Sequence, residues 1–377
     1  MVKVLHIFGQ MVRHGAEVRT IELMPEMARR NIGFDFCTLL PDAGELDADI
    51  RDLGGRVVTC PLKTDVRTFP RRFLALLRSS DYDIVHCHSH YFSGYLLRLA
   101  HKAAVPGRIA HFRSMGDGRR LTPARRLYHW AMRRMIDRHA TAILAVGRGA
   151  MECAWGPLWR SDPRCQVVHN GFDLTRFENT AVDRPGVRRE FAVPHDGFLA
   201  VYVARFIPEK AHDILLTAAA LVMPKDPGLH VLLVGDGDGR PAVEALAHDL
   251  GIEHRVHFTG VRDDVPRLLK ASDCFVSTSR REGLPGAVLE AIVANLPVIA
   301  TDLPGVREIA EYTDLISIVP VDNSDALART LADTLNRCRS GPPKERPFPR
   351  EFSLQQCAER LYDVYRRQLR PTTGQSG

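Results

Sequence analysis

Two carboxylates stand eight residues apart, Glu282 and Glu290, on either side of the turn Gly283-Leu284-Pro285-Gly286. The apolar run after the turn reads as a helix opening near Gly286, whose free N–H groups and positive dipole end attract an anion. A carboxylate just outside that end is poorly placed for phosphate but well placed to accept hydrogen bonds from sugar hydroxyls. Glu290, one to two turns inside, could take a ribose diol. Main-chain N–H groups on phosphate with acids on the flanking hydroxyls fit a glycosyl diphosphate; capping or solvated roles for the two acids fit the spacing equally well. A second pair, Arg205 and Lys210 in VARFIPEK, flanks a loop that opens a helix and could fix two cations on one anionic group. Alone, such a pair reads as solvated surface charge; beside a second strand-end site it reads as an anion clamp.

Strands must end where these residues begin. VKVLHIF, FDFCTLL, DIVHCH, RIAHF and AILAV are short β-rich runs separated by helical segments from Gly15, from Ser93 to Ala104 and from Pro123 to Arg138. The same rhythm restarts with FLAVYVA, HVLLVG, RVHFTG, DCFVS, LPVIA and LISIV. Alternating strands and helices imply α/β architecture: two tandem doubly wound parallel sheets, each covered on both faces. Ligands of such sheets bind beyond the carboxyl ends of the strands. The polar, proline-containing stretch Asp173 to Asp196 reads as the connection between them. The expected organisation is residues 1–178 as a first domain, 179–195 as a linker, 196–350 as a second domain and 351–370 as a terminal helix.

Composition narrows the classes. A chain of 377 residues is about the length of two domains. No apolar run reaches the ~18 residues of a spanning helix, and MVKVLHIFGQ lacks the parts of a signal peptide, so a cytoplasmic protein is expected. The eight cysteines form no C-x-x-C pair and read as reduced packing residues. Cys87 lies in HCHSH, a zinc-like cluster, but strand alternation sends neighbouring side chains to opposite faces and argues against metal. The net charge of +6 divides unevenly: residues 1–180 carry 27 Lys and Arg against 18 Asp and Glu, and the remainder 24 against 27. Residues 119–138 hold seven arginines, including Arg119 and Arg120, interleaved with Tyr128, Trp130, Met132 and Met135. That helix could lie on an anionic membrane, or be a solvated basic face over a core stripe of Ala124, Leu127, Ala131 and Met135. No recognition module accompanies the basic residues, so nucleic acid is not an expected partner. GDGDG, Gly235 to Gly239, raises an NAD-dependent oxidoreductase as a rival reading, but the dinucleotide fingerprint is incomplete there because residue 240 is Arg. A non-catalytic nucleotide- or membrane-binding scaffold is the other rival.

The segment EGLPGAVLEAIVANLPVIATDLPGVREI resembles the long E-x7-E signature of glycosyltransferase family 4, retaining enzymes of the GT-B fold. VARFIPEKAHDILLTA is similar to that family's phosphate loop, LLVGDGDGR to its G-D-G loop and VHFTGVRDDVPRLLKASDCFVSTS to its base-binding region. RHGAEVRTIELM, YDIVHCHSHYFSGY and RIAHFRS look most like the branch that builds exopolysaccharides. The resemblance implies two Rossmann-like domains facing across a cleft and transfer of a sugar from a nucleotide diphosphate, most often UDP, to a glycan or lipid-linked hydroxyl. It implies no cofactor and no essential metal, and cytoplasmic or peripheral membrane residence. Residue by residue, it assigns Arg205 and Lys210 to the diphosphate, Glu282 to hydroxyls of the transferred sugar and Glu290 to the ribose. Gly283, Leu284, Pro285 and Gly286 would hold the distal phosphate and the sugar, Val261 and Arg262 would flank the base, Gly15 would let its loop approach the diphosphate, and His111 would face the reacting centre. It also implies that the final helix packs back on the first domain. The sequence departs from the pattern at Ala204 and Ala211, which replace usual glycines; the added methyl is harmless unless φ is positive. His14-Gly15 stands for Gly-Gly and Leu284-Pro285 for Phe-Gly, which leaves the sugar's identity open.

Overall fold

The computed structural model describes residues 1–13, 15–62, 67–116, 121–341 and 344–369, and resolves two compact units, Met1–Gly171 with Glu351–Gly377, and Phe172–Arg350. Each is built on one parallel sheet. In the first unit the strands are β1 (Val2–Phe8), β2 (Ile32–Thr38), β3 (Val57–Thr59), β4 (Ile84–Cys87), β5 (Gly107–Phe112), β6 (Ala142–Ala145) and β7 (Cys165–Val167), in the order β3-β2-β1-β4-β5-β6-β7. In the second they are β8 (Phe198–Val203), β9 (Leu229–Val234), β10 (Val256–Phe258), β11 (Cys274–Ser277), β12 (Val298–Thr301) and β13 (Ile316–Val319), in the order β10-β9-β8-β11-β12-β13. The central strands are buried along almost their whole length, as strands covered by helices on both faces must be.

The strand order reverses between β1 and β4 in the first unit and between β8 and β11 in the second. At such a switch point successive connections leave toward opposite faces, and the crevice between them opens beyond the strand ends. The chain places its chemistry there: Arg205 and Lys210 follow β8, Glu282 follows β11, and the histidine-bearing ends of β1, β4 and β5 lie side by side.

The last helix, Leu354–Leu369, belongs to the first unit. Its Cys357, Ala358, Leu361, Val364 and Tyr365 recur at helical spacing and join Val4, Phe34 and Ile109 in one core. The stretch from Asp173 to Asp196 is more than a connection, because helices Thr175–Glu178 and Arg184–Glu190 form within it and belong to the second unit. Asp183 caps the second of these by accepting from the Gly186 N–H at 3.0 Å, and the buried Arg188 donates to Asp273 at 2.7 Å. Each helix also buries one apolar side chain, Phe177 and Val187, too few to give an apolar period for a sequence reading to find.

Helix Pro123–His139 opens on Thr122, whose hydroxyl accepts from the Arg125 N–H. Its contact with helix Ser93–Lys102 runs through Met132 and Met135 beside Gly94, and its one fully buried side chain is Ile136. The expected core stripe is therefore rotated: Ala124 is exposed and Leu127 is 65% exposed, together with Trp130 at 62% and Leu121 at 50%. Arg126, Arg134 and Arg138 are exposed on the same helix, while Arg119 and Arg120 lie outside the described residues.

Candidate active site

Two loops meet at the switch point of the second sheet. After β8 the chain runs through Arg205 and a single turn, Pro208–Lys210, before helix His212–Val222; after β11 it runs through Arg280 and Glu282 to helix Gly286–Val293. The Arg280 N–H donates to the Glu209 carbonyl at 2.8 Å, and the Arg280 guanidinium donates to the Pro208 carbonyl at 2.6 Å. Above these tethers the Lys210 ammonium pairs with the Glu282 carboxylate. A hydroxyl network sits beneath: Ser279 Oγ lies 2.8 Å from Glu282 Oε1, Tyr202 donates to the Lys210 carbonyl at 2.9 Å and sits 3.0 Å from Ser279 Oγ, and Thr278 donates to the Ala211 carbonyl at 2.8 Å. Tyr202 is fully buried, and burial holds its phenol up in its neutral form. Sequence reasoning passed over Tyr202, Thr278 and Ser279; the hydroxyl-rich run Ser277-Thr278-Ser279 at a strand end was the available signal.

Arg205 is exposed and makes no ion pair among the described residues. Gly283, Leu284 and Pro285 are buried as the turn enters the helix, which has no side-chain cap on its first N–H groups. Gly305 sets the position of this turn: a Cβ there would lie 2.3 Å from the Gly283 carbonyl oxygen, so the backbones pass too closely for any other residue. Glu290 is partly buried on the first turns of the helix. Val261 is 78% exposed, beyond the end of β10. Arg262, expected beside the base, has its guanidinium forked on Asp264 at 2.7 and 2.8 Å and reaching Glu190 at 2.9 Å. The hydrogen bonds to Asp264 raise its already high pKa.

Ala211 is left-handed, with φ at 49°, whereas Ala204 is not. Of the two replacements of glycine, the one at Ala211 is therefore strained, because its Cβ crowds the backbone in that region. The Gly235-Asp236-Gly237-Asp238-Gly239 loop packs on the strand-end loop after β8: a Cβ on Gly237 would lie 2.7 Å from the Phe206 carbonyl. Asp236 caps its own turn by accepting from the Gly237 N–H and pairs with Arg240. Gly237 and Gly239 thus serve loop-on-loop contact with Phe206.

In the first unit Gly15 opens helix Gly15–Glu22, with open space around the position of a Cβ; His14 lies outside the described residues. His111 is 3% exposed near the end of β5. Register places His86 beside His6 of β1 and beside Ile109 of β5, so His86, His88 and His111 share one face of the sheet. Alternation does separate Cys87 from these rings, but it brings His86 and His88 together, and one ring nitrogen each of His6, His86 and His88 lies within 4.8 Å of the others. That juxtaposition corrects the expectation that HCHSH scatters its histidines. The nitrogens are engaged with one another and with protein: His6 Nδ1 to His88 Nε2 at 3.0 Å, His86 Nδ1 to the Tyr365 hydroxyl at 2.8 Å and His86 Nε2 to His111 Nδ1 at 3.0 Å. Arg113 donates to His88 Nδ1 at 3.1 Å. Burial, before any charge effect, holds all four rings well below the usual histidine pKa.

Residues 14–171 match the family described as Glycosyl transferase 4-like domain, and residues 183–340 match Glycosyl transferases group 1. The chain is a family 4 glycosyltransferase. This glycosyltransferase is 29% identical over 376 residues to EpsF of Bacillus subtilis, with 96% of each chain covered. It is 28% identical over 320 residues to the capsular polysaccharide biosynthesis glycosyltransferase CapH of Staphylococcus aureus, covering 83% of this chain and 84% of that one. Its fold is GT-B: it superposes on HepE of Anabaena, solved with UDP and glucose, at a TM-score of 0.77 with 18% identity and 97% and 98% of the chains covered. A glycosyltransferase from Rickettsia africae superposes at 0.81 with 16% identity, covering 98% and 99%.

Proposed function

We propose that the enzyme moves a sugar from a UDP-sugar to a hydroxyl of a glycan or lipid-linked acceptor during assembly of a surface polysaccharide, with retention at the anomeric carbon and no essential metal. The observation that carries this reading is the Lys210–Glu282 pair at the switch point, a cation and an acid held together over tethered loops beside the exposed Arg205. In this reading Arg205 and Lys210 neutralise the diphosphate, the N–H groups at Gly283–Gly286 support its distal phosphate, and Glu282 accepts from the sugar's hydroxyls. Glu290 takes the ribose, Val261 lies along the base, Gly15 borders the diphosphate and His111 serves the reacting centre. Arg262 contributes its backbone at most, because its side chain is committed to Asp264 and Glu190.

The bond from the anomeric carbon to the phosphate oxygen breaks with its electron pair leaving on UDP. The acceptor oxygen bonds to the same face, and its proton passes to the departing phosphate. Fixed cations and helix N–H groups stabilise the leaving charge in the role a metal plays elsewhere. The known relatives support the substrate classes: HepE was solved with UDP and glucose, and a relative in Escherichia coli, 26% identical over 320 residues, is named as a UDP-Gal:α-D-GlcNAc-diphosphoundecaprenol α-1,3-galactosyltransferase.

A lipid-linked acceptor would bring the enzyme to a cytoplasmic membrane face. Helix Pro123–His139 fits that role, with Leu127 and Trp130 exposed among Arg126, Arg134 and Arg138, above a groove that Arg98 also lines. Among the described residues no helix is long and apolar enough to cross a membrane. The direct test is UDP release from a panel of UDP-sugars with a lipid-linked glycan acceptor, with and without EDTA, and the anomeric configuration of the product by NMR. An α-linked product from an α-UDP-sugar, unaffected by EDTA, is expected; inversion, or loss of turnover with EDTA, contradicts the reading. Flotation should show binding to anionic but not to neutral vesicles, and equal or absent binding to both would count against the membrane role.

A further inference from the structure

We propose that Arg113, His88, His6, Tyr365 and His86 form a one-way hydrogen-bond relay that fixes His111 as its Nε2–H tautomer, presenting a hydrogen-bond donor to the bound donor substrate. The inference rests on the reading that places His111 at the reacting centre.

The direction of the relay follows from its first member. A guanidinium can only donate, so His88 Nδ1, 3.1 Å from Arg113 Nε, must accept. Arg113 is itself anchored, donating to Asn170 Oδ1 at 2.6 Å and to Thr20 Oγ1 at 3.0 Å. Burial draws its pKa down to about 10, which leaves it protonated at neutral pH. A neutral ring that accepts at one nitrogen carries its proton on the other. His88 Nε2–H therefore donates to His6 Nδ1 at 3.0 Å, and His6 Nε2–H faces the Tyr365 hydroxyl at 3.5 Å, the longest link. Having accepted from His6, Tyr365 donates to His86 Nδ1 at 2.8 Å, and His86 Nε2–H donates to His111 Nδ1 at 3.0 Å. The proton of His111 is left on Nε2.

That nitrogen is buried and has no hydrogen-bond partner among the described residues, while each of the other histidine ring nitrogens of the relay has one. A buried donor without a partner is costly, so a ligand oxygen that accepts from it recovers an interaction the folded chain lacks. The rings are neutral because burial disfavours their charged forms, and each successive neutral ring passes on the orientation set at Arg113. The fixed positive charge 3.1 Å from His88 Nδ1 also opposes a metal ion among the same rings. Tyr365 ties the relay to the last helix, and the five side chains before His111 are positioning residues.

The test is long-range 1H–15N correlation of the histidine rings in the full-length protein, with the His111 ring identified by its loss in His111→Asn. The wild type should show His111 as a neutral Nε2–H tautomer at neutral pH. Tyr365→Phe, which removes the link between His6 and His86, should shift His111 toward Nδ1–H and lower kcat/KM about tenfold, the effect of one hydrogen bond, mainly through a higher donor KM. A wild-type His111 that is Nδ1–H or doubly protonated overturns the relay, as does a ring pattern that collapses on adding one equivalent of Zn2+. The wild-type spectrum decides the matter even where Tyr365→Phe fails to fold. An active enzyme with the wrong tautomer refutes the relay alone, whereas the expected tautomer in a protein inert toward UDP-sugars refutes the transfer reading alone.

Discussion

Lys210 and Glu282 meet across the ends of two adjacent strands, and the same hydroxyl, that of Tyr202, bonds both the carbonyl of Lys210 and the serine that holds Glu282. Neither side chain is placed by its own loop alone. Each depends on β8 and β11 being neighbours, which is the strand order that makes a switch point. In the proposed reading, a cation and an acid so fixed meet the two chemically different ends of a sugar diphosphate.

Gly305 should be sensitive too, although it bears no functional group. A methyl there would press on the Gly283 carbonyl and displace the turn that leads into helix Gly286–Val293. Overpacking of this kind costs about 1–3 kcal/mol. Gly305→Ala is expected to raise the donor KM about tenfold or more while the protein stays folded by circular dichroism; an unchanged KM would show that the turn's position does not matter.

Ala211 offers the opposite test, since the substitution should stabilise. Its left-handed backbone strains an alanine and not a glycine. Ala211→Gly should raise stability by about 1 kcal/mol, read as a higher midpoint in urea at constant slope. A lower midpoint would mean that the added freedom of the unfolded chain outweighs the strain.

The first unit should be acid-sensitive. His6, His86, His88 and His111 are held neutral well below the ordinary value of 6.5, so the unfolded chain takes up protons that the folded chain refuses. Stability from this source is intact above pH 6.5 and falls as pH drops below it, by about 1.4 kcal/mol per pH unit for each ring that stays neutral. Melting temperature should fall by roughly 10 °C or more between about pH 7.5 and about pH 5.5. A flat profile over that range would show that the rings titrate normally.

Much of this was legible because the information is local. The apolar run FLAVYV ends just short of Arg205, VKVLHIF carries His6 itself, and the parallel α/β rhythm follows from such runs. The three-residue edge strands Val57–Thr59 and Cys165–Val167 gave too little pattern to register. Tyr202, Ser279 and Gly305 stayed hidden because their roles exist only once β8, β11 and the turn at Gly283 are adjacent. The pairing of Arg262 with Glu190 was hidden for the same reason, since only folding brings the two together. The exposure of Leu127, which one of the two readings put in a covered stripe, was not legible because a helix with apolar residues on more than one face does not announce which face is covered.

The most direct test of the account is the turnover of Lys210→Ala and Glu282→Ala on the preferred UDP-sugar. Each is predicted to lose about a hundredfold or more in kcat/KM, equivalent to roughly 3 kcal/mol of transition-state stabilisation. Lys210→Ala should also weaken binding of UDP itself, whereas Glu282→Ala, which frees the Lys210 ammonium, should leave UDP binding intact or tighter. Near-wild-type turnover in both variants would contradict the assignment of the β8 and β11 strand ends as the donor site.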